Sequence, residues 1–170
     1  MSDETNKRFL LVDVAGERAC IDIAFVQEVI EQVQMTAVPM CESVVSGVMN
    51  VRGSVVPVID LTQRLGLQAK PYDRYSCVVL YELVDDESGV HSVVGLQVNR
   101  VYSIERFSTE ALVESPDFGC HIERRFIRAL ASFNHCMHTL LAMEQVLDIA
   151  QINQSMLASQ QDFFTALRRQ

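Results

Sequence analysis

The sequence predicts a mainly β protein built as two small barrels, and three observations carry that prediction. Short apolar, β-branched runs recur along the chain, at Arg8–Ala15, Arg18–Ile23, Val55–Ile59, Cys77–Leu83, Val90–Val98 and Phe126–Phe133, and such runs favour pleated strands. Turn signals separate them at Gly16-Glu17, Arg52-Gly53, Asp85–Gly89 and Asn134-His135, so strands are joined by hairpins, which excludes a parallel sheet with helical crossovers. The same order of hairpin, short helical link, hairpin and terminal helix is met twice.

In Arg8–Ala15, Leu10, Val12 and Val14 fall on one face of a first strand, and Arg18–Ile23 returns as the second. Asp22 or its successor then begins a predicted short helix over Ala24–Ile30. Phe25, Val26, Val29 and Ile30 would share its apolar face, with Gln27 and Glu28 pointing elsewhere. Val33–Val38 is read as extended and ended by Pro39, and Ser43–Ser46 as a turn or helical loop.

Gly47–Leu61 is the stretch around which the chain is organised: two apolar runs joined at Arg52-Gly53. Gly53 can adopt the positive φ of a tight reversal. Pro57 cannot donate to a ladder and predicts an edge strand or a bulge. Asp60 stands as an N-cap, with Gln63 as its capping-box partner, and Gly66 closes the short helix. The polar link at 67–74 is the predicted boundary between the two halves.

The second half is read as strands at Cys77–Leu83 and Val90–Val98, a short one at Val101–Ile104, a loop-rich Ser108–His121, and a hairpin of Phe126–Phe133 with Met137–Met143. Ala142–Asp148 turns helical. The tail over 149–170 is read as helical too, its stripe of Met156, Phe163, Phe164 and Leu167 a docking face and Arg168-Arg169 suited to a helix C-terminus.

Composition narrows the function. At 170 residues and 49% hydrophobic content the chain can bury a real core. A net charge of -8 disfavours nucleic acid, whose phosphates need a basic surface. The small basic cluster Arg124-Arg125-Arg128 reads as a solvated strand face. No apolar run reaches the roughly 20 residues of a membrane span, and the acidic start Ser2-Asp3-Glu4 is unlike a signal peptide. A cytoplasmic protein without direct membrane insertion is expected.

The search for chemistry returns little. There is no Walker-type phosphate loop, dinucleotide fingerprint or nucleophile elbow. Five cysteines without a Cys-x-x-Cys pair read as reduced thiols. Cys120-His121 and His135-Cys136-Met137-His138 contain metal-ligand types, so a metal- or redox-responsive sensor using the Cys120–His138 region stands as the alternative function. Strand alternation, however, would point His135 and His138 to opposite faces. What the central hairpin offers is apolar surface beside one charge, the composition of an interface. Glu28 and Arg52 suggest themselves as an ion pair; the alternative is two ordinary solvated charges.

Asn50-Val51-Arg52-Gly53-Ser54-Val55-Val56-Pro57-Val58-Ile59-Asp60-Leu61 closely resembles the signature of the CheW coupling proteins of bacterial chemosensory systems. Cys20-Ile21-Asp22-Ile23 followed by Val26-Gln27-Glu28-Val29-Ile30 is similar to the family's preceding segment, with matching spacing to Arg52. Val94–Val98 and Thr139–Leu141 through Val146-Leu147 follow its second half more loosely.

The resemblance implies a CheW-like fold of two interleaved SH3-like five-stranded barrels over 8–148, with short helices and a C-terminal helix. It implies a scaffold with no catalytic residues, cofactor or bound metal. Such proteins bridge the cytoplasmic tip of methyl-accepting chemoreceptors to the regulatory domain of a CheA-type histidine kinase, at membrane-associated receptor arrays and in rings with other CheW-like domains. By matching positions, the receptor-binding residues are Val26, Gln27, Glu28, Val29, Ile30, Arg52 and Gly53, with Glu28–Arg52 an expected ion pair. Asn99, Arg100, Arg128–Phe133 and His135–His138 depart from the family pattern. They suggest a specialised member, of a surface-sensing or pilus-linked system.

Overall fold

The computed structural model describes residues 7–31, 34–37, 44–84, 87–89, 91–107, 112–113 and 121–148. Pro39, Cys41, Ser43, Asp85-Asp86, Cys120 and the predicted 149–170 helix lie outside them, as does most of Ser108–His121. Strands β1 (Lys7–Val14), β2 (Glu17–Asp22), β8 (Arg100–Phe107), β9 (Leu112–Val113), β10 (Ile127–Phe133) and β11 (Cys136–Leu141) form one sheet, in the order β8-β1-β2-β11-β10-β9. Strands β3 (Val26–Glu31), β4 (Val45–Val51), β5 (Ser54–Asp60), β6 (Cys77–Val84) and β7 (His91–Val98) form the other, in the order β3-β6-β7-β5-β4. The architecture is the predicted one, mainly β with two small barrel-like units, the larger sheet adding only the two-residue β9. Among the described residues no helix is long and apolar enough to cross a membrane.

The near-continuous apolar runs are explained by three buried clusters. Alternate residues of a strand point to opposite faces, and here both faces are covered. On β1, Phe9 and Leu11 join Cys20, Phe107 and Leu140 inside the six-stranded unit. Leu10, Val12 and Val14 turn the other way, to meet Val79, Tyr81, Leu96 and Val98 of the second sheet. On β6, Val78 and Leu80 fill the five-stranded unit with Met49, Val56 and Val58. Each unit thus has its own interior, and a third core joins them.

Three hairpins turn on two residues with positive φ at both: Ala15-Gly16 (51° and 91°), Arg52-Gly53 (50° and 85°) and Asn134-His135 (47° and 60°). That is the type I′ geometry whose twist suits paired strands. The first turn therefore lies one residue earlier than the expected Gly16-Glu17.

Asp60 caps α1 (Leu61–Arg64) by accepting from the Thr62 N–H at 3.0 Å, and Gly66 ends it at φ 72°. The reciprocal arm of a capping box is not needed, because the Asp60 N–H donates to the Val44 carbonyl at 2.7 Å. α2 (Met143–Val146) follows the β10–β11 hairpin as α1 follows β4–β5. The repeat seen in the sequence is therefore structural, and each hairpin also pairs in parallel with a strand of its own sheet: β5 with β7 and β11 with β2.

Three expectations are corrected. Residues 26–31 are not helical: a 3-10 turn covers Ile23–Phe25, capped by Asp22, and Val26–Glu31 is an edge strand. Pro57 is on an interior strand, not an edge. Its partner Val48 spends both its N–H and C=O on Thr36, so Val48 and Pro57 are not hydrogen-bonded to one another. The missing Pro57 donor faces β7, whose ladder starts only at Val58. Finally, residues 67–74 join β5 to β6 within one sheet; the chain changes sheet between β2 and β3 and between β7 and β8.

Candidate protein-interaction site

The predicted contact residues lie on β3 and at the β4–β5 turn. In the ladder with β6, Val26 faces Tyr81, Glu28 faces Leu80, Val29 faces Val79 and Ile30 faces Val78, so Gln27 is the extra residue of a bulge. The bulge shifts the phase of the strand. Val26 and Val29 stand over the residues that join the two sheets, whereas Glu28 and Ile30 stand over the five-stranded interior.

Val51, just before the β4–β5 turn, packs against that same interior. Arg52 follows in left-handed backbone, and the Gly53 N–H donates to Asn50 Oδ1 at 2.9 Å, which fixes the turn. Arg52 Nη2 then reaches Glu28 Oε2 at 2.5 Å, with the arginine side chain 76% exposed and the glutamate 34%. The structure thus brings together Glu28, Arg52 and Gly53, with Ile30 beneath. Val29 is 36% exposed and Phe25 43%, the latter tilted against Tyr81 with ring centroids 5.8 Å apart. Burial pushes the Tyr81 phenol up to about 12, so the ring under Phe25 stays neutral. An edge strand with exposed apolar side chains on one face and an anchored charge on the other can bind a protein surface. The arrangement offers no nucleophile paired with a base.

The described members of the Cys120–His138 region are not assembled into one site. His121 pairs with Glu17 at 2.7 Å, His135 is a turn residue, and His138 is 2% exposed with its ring 6.2 Å from that of Phe133. Among the described residues no group of three or more His, Cys, Asp or Glu can hold a metal. In the basic cluster, Arg128 pairs with Glu144, and Arg125 with Glu123 at 2.8 Å while lying over Phe126.

The unusual Asn99 has a structural role. Its Oδ1 accepts from the Ala15 N–H at 2.7 Å and its own N–H donates to the Asp13 carbonyl at 2.9 Å, clasping the first hairpin turn. Arg100 lies over the Tyr75 ring at 4.7 Å and donates to Asp73 at 3.3 Å. The Tyr75 backbone N–H, and then Arg100, hold the Asp73 carboxyl below its usual range.

Sequence reasoning missed Arg64, which is 8% exposed. Its Nε donates to the Val146 carbonyl at 2.7 Å and its Nη2 to the Gln145 carbonyl at 3.2 Å, with the guanidinium 5.0 Å from the Phe126 ring centroid. A cation at carbonyls left free by a helix C-terminus is favourable, and here it ties α1 to α2. No pattern in the sequence marks those acceptors, since they are backbone.

This geometry has relatives. A protein named as a probable chemotaxis protein CheW from Rhizobium etli is 28% identical over 143 residues, covering 84% of this chain and 88% of its own. The chemotaxis protein CheW of Klebsiella aerogenes is 26% identical, covering 85% and 84%. The protein PilI of Pseudomonas aeruginosa is 30% identical over 89 residues, covering 52% and 47%. The crystal structure of the scaffolding protein TtCheW from Thermoanaerobacter tengcongensis superposes with a TM-score of 0.72 at 24% identity, over 84% of this chain and 93% of that one, a likeness of fold. Residues 8–151 match the family model of the CheW-like domain. Two interleaved barrel units, an edge strand tied to the β4–β5 turn by Glu28 and Arg52, and a match spanning nearly every described strand place the chain in the CheW-like domain family.

Proposed function

We propose that the chain is a non-catalytic adaptor that couples a methyl-accepting chemoreceptor to a CheA-type histidine kinase. The observation that carries this reading is the family match over residues 8–151 together with the edge strand β3, which carries exposed Val29 on one face and the Glu28–Arg52 pair on the other, with exposed Phe25 just before it. Val26, Gln27, Glu28, Val29, Ile30, Arg52 and Gly53 would meet the helical receptor tip, in the cytoplasm beneath a membrane-bound array. Apolar side chains would supply contact area and Arg52 orientation.

The mechanism is positional. Receptor tip and kinase each bind one surface of the adaptor, and the kinase equilibrium moves only as far as the contacts differ between receptor states. The partial likeness to PilI, with the departures at Asn99, Arg100 and Arg128–His138, supports a specialised pathway, surface-sensing or pilus-linked.

Affinity capture of the full chain from its native cell, with mass-spectrometric identification, tests the reading. Co-recovery of a receptor and a histidine kinase with a CheW-like regulatory domain is expected. Recovery of neither, from cells that express both, contradicts it.

A further inference from the structure

β8 is an edge strand of the six-stranded sheet, and its pairing with β1 sets Arg8 directly opposite Arg106. Both are exposed, and among the described residues neither has a carboxylate partner. Like charges directly opposite on one face of an antiparallel pair repel, because their Cβ atoms are only about 5 Å apart. The next pair on the same face is Leu10 with Ile104. Leu10 belongs to the core that joins the two sheets, whereas Ile104 is 51% exposed; Tyr102 is turned away, its hydroxyl on Asp13 and its ring under Arg18. Two guanidinium groups with no carboxylate partner among the described residues therefore sit beside exposed Ile104, on a chain whose net charge is -8.

We propose that Arg8 and Arg106 read a carboxylate, an Asp or Glu side chain on the helical receptor tip, with Ile104 taking the aliphatic surface beside it. This rests on the receptor-coupling reading above and names the chemistry of its partner. Two guanidinium groups at this spacing converge on one carboxylate, and the planar fork of arginine suits that geometry better than the point charge of lysine. The pair costs the free protein repulsion that a bound carboxylate removes, so the attraction is realised only in the complex. Exposed Ile104 favours a protein surface carrying one acid beside an aliphatic residue.

The test is binding of a purified cytoplasmic fragment of the co-recovered receptor to the parent chain, to an Arg8→Gln/Arg106→Gln double variant and to Lys7→Gln. Lys7 opposes Phe107, on the other face of the pair. The double variant should bind about tenfold more weakly at low salt and lose most of the salt dependence of the parent. Lys7→Gln should bind like the parent. The double variant should melt no lower than the parent, since the substitution removes a repulsion. Equal affinity and an equal salt slope would overturn the proposal, as would loss of binding to the kinase alone. Failure of the parent chain itself to bind the fragment would overturn the coupling reading on which it rests.

Discussion

Glu28 and Arg52 occupy opposite ends of a five-stranded sheet, on the edge strand β3 and at the turn beyond the other edge strand β4, yet their side chains meet at 2.5 Å. The pair spans the seam where the sheet curls on itself. Because the arginine is mostly exposed, the contact adds about 0–1 kcal/mol to stability, and its value lies in holding a charge at a fixed place on an apolar face. Arg52→Gly should therefore leave the fold intact, as glycine tolerates the positive φ that Arg52 adopts. Chemical denaturation should show a change within about 1 kcal/mol. A loss above about 3 kcal/mol would mean that the pair holds the barrel together.

Arg64 is the stronger structural tie. Arg64→Met keeps much of the side-chain volume but leaves the carbonyls of Val146 and Gln145 without this donor. Charge-assisted bonds at a buried site are worth about 1.5–3 kcal/mol each, and removing one partner exposes the desolvation cost of the rest. The urea midpoint of Arg64→Met should fall by an amount equivalent to about 2–4 kcal/mol, at an unchanged m-value. An unchanged midpoint would remove Arg64 from the account of how the two units are joined.

His138 imposes a pH dependence. Burial, and then the nearby Arg18 charge, lower its pKa, and neither ring nitrogen has a hydrogen-bond partner among the described residues. In the unfolded chain the imidazole takes a proton below its ordinary value of 6.5, while in the folded chain it resists protonation. The unfolded state then binds more protons, so stability falls as the pH drops through 6.5 toward the folded pKa, by at most about 1.4 kcal/mol per pH unit. His138→Phe should flatten this slope between pH 7.5 and pH 5. A slope that persists unchanged assigns the titration to another group.

Thiol chemistry should discriminate among the cysteines. Cys20 is fully buried, and burial pushes its thiol up to about 12, so almost no thiolate forms near neutral pH. Alkylation of the folded protein at pH 8 followed by peptide mapping should find Cys20 unmodified and the partly exposed Cys136 modified first of the two. Rapid labelling of Cys20 would contradict the packing inside the six-stranded unit.

The hairpin turn at Arg52-Gly53, the Asp60 cap and the Gly66 stop were legible in the sequence because each is a local signal. β3 was misread for a definite reason. The bulge at Gln27 places apolar residues at 26, 29 and 30, which imitates the spacing of a helix face although the backbone is extended. The β-branched character of Val26, Val29 and Ile30 was the competing cue. Pro57 misled because a missing donor signals an edge only when a neighbouring ladder reaches that residue, and here it begins one residue later. Arg64 and the Arg8–Arg106 pair were out of reach, since backbone acceptors 81 and 82 residues away and a cross-strand register leave no mark in a single sequence.

The central claim is that the face built around Arg52 meets a receptor. The most direct measurement is binding of the receptor fragment by the parent chain and by Arg52→Glu, with near-ultraviolet circular dichroism confirming that both are folded. The variant should retain its fold and bind about tenfold or more weakly, because a carboxylate replaces the guanidinium beside Glu28 and reverses the charge presented at the contact. A folded Arg52→Glu protein that binds the fragment and supports kinase activation like the parent would contradict the account.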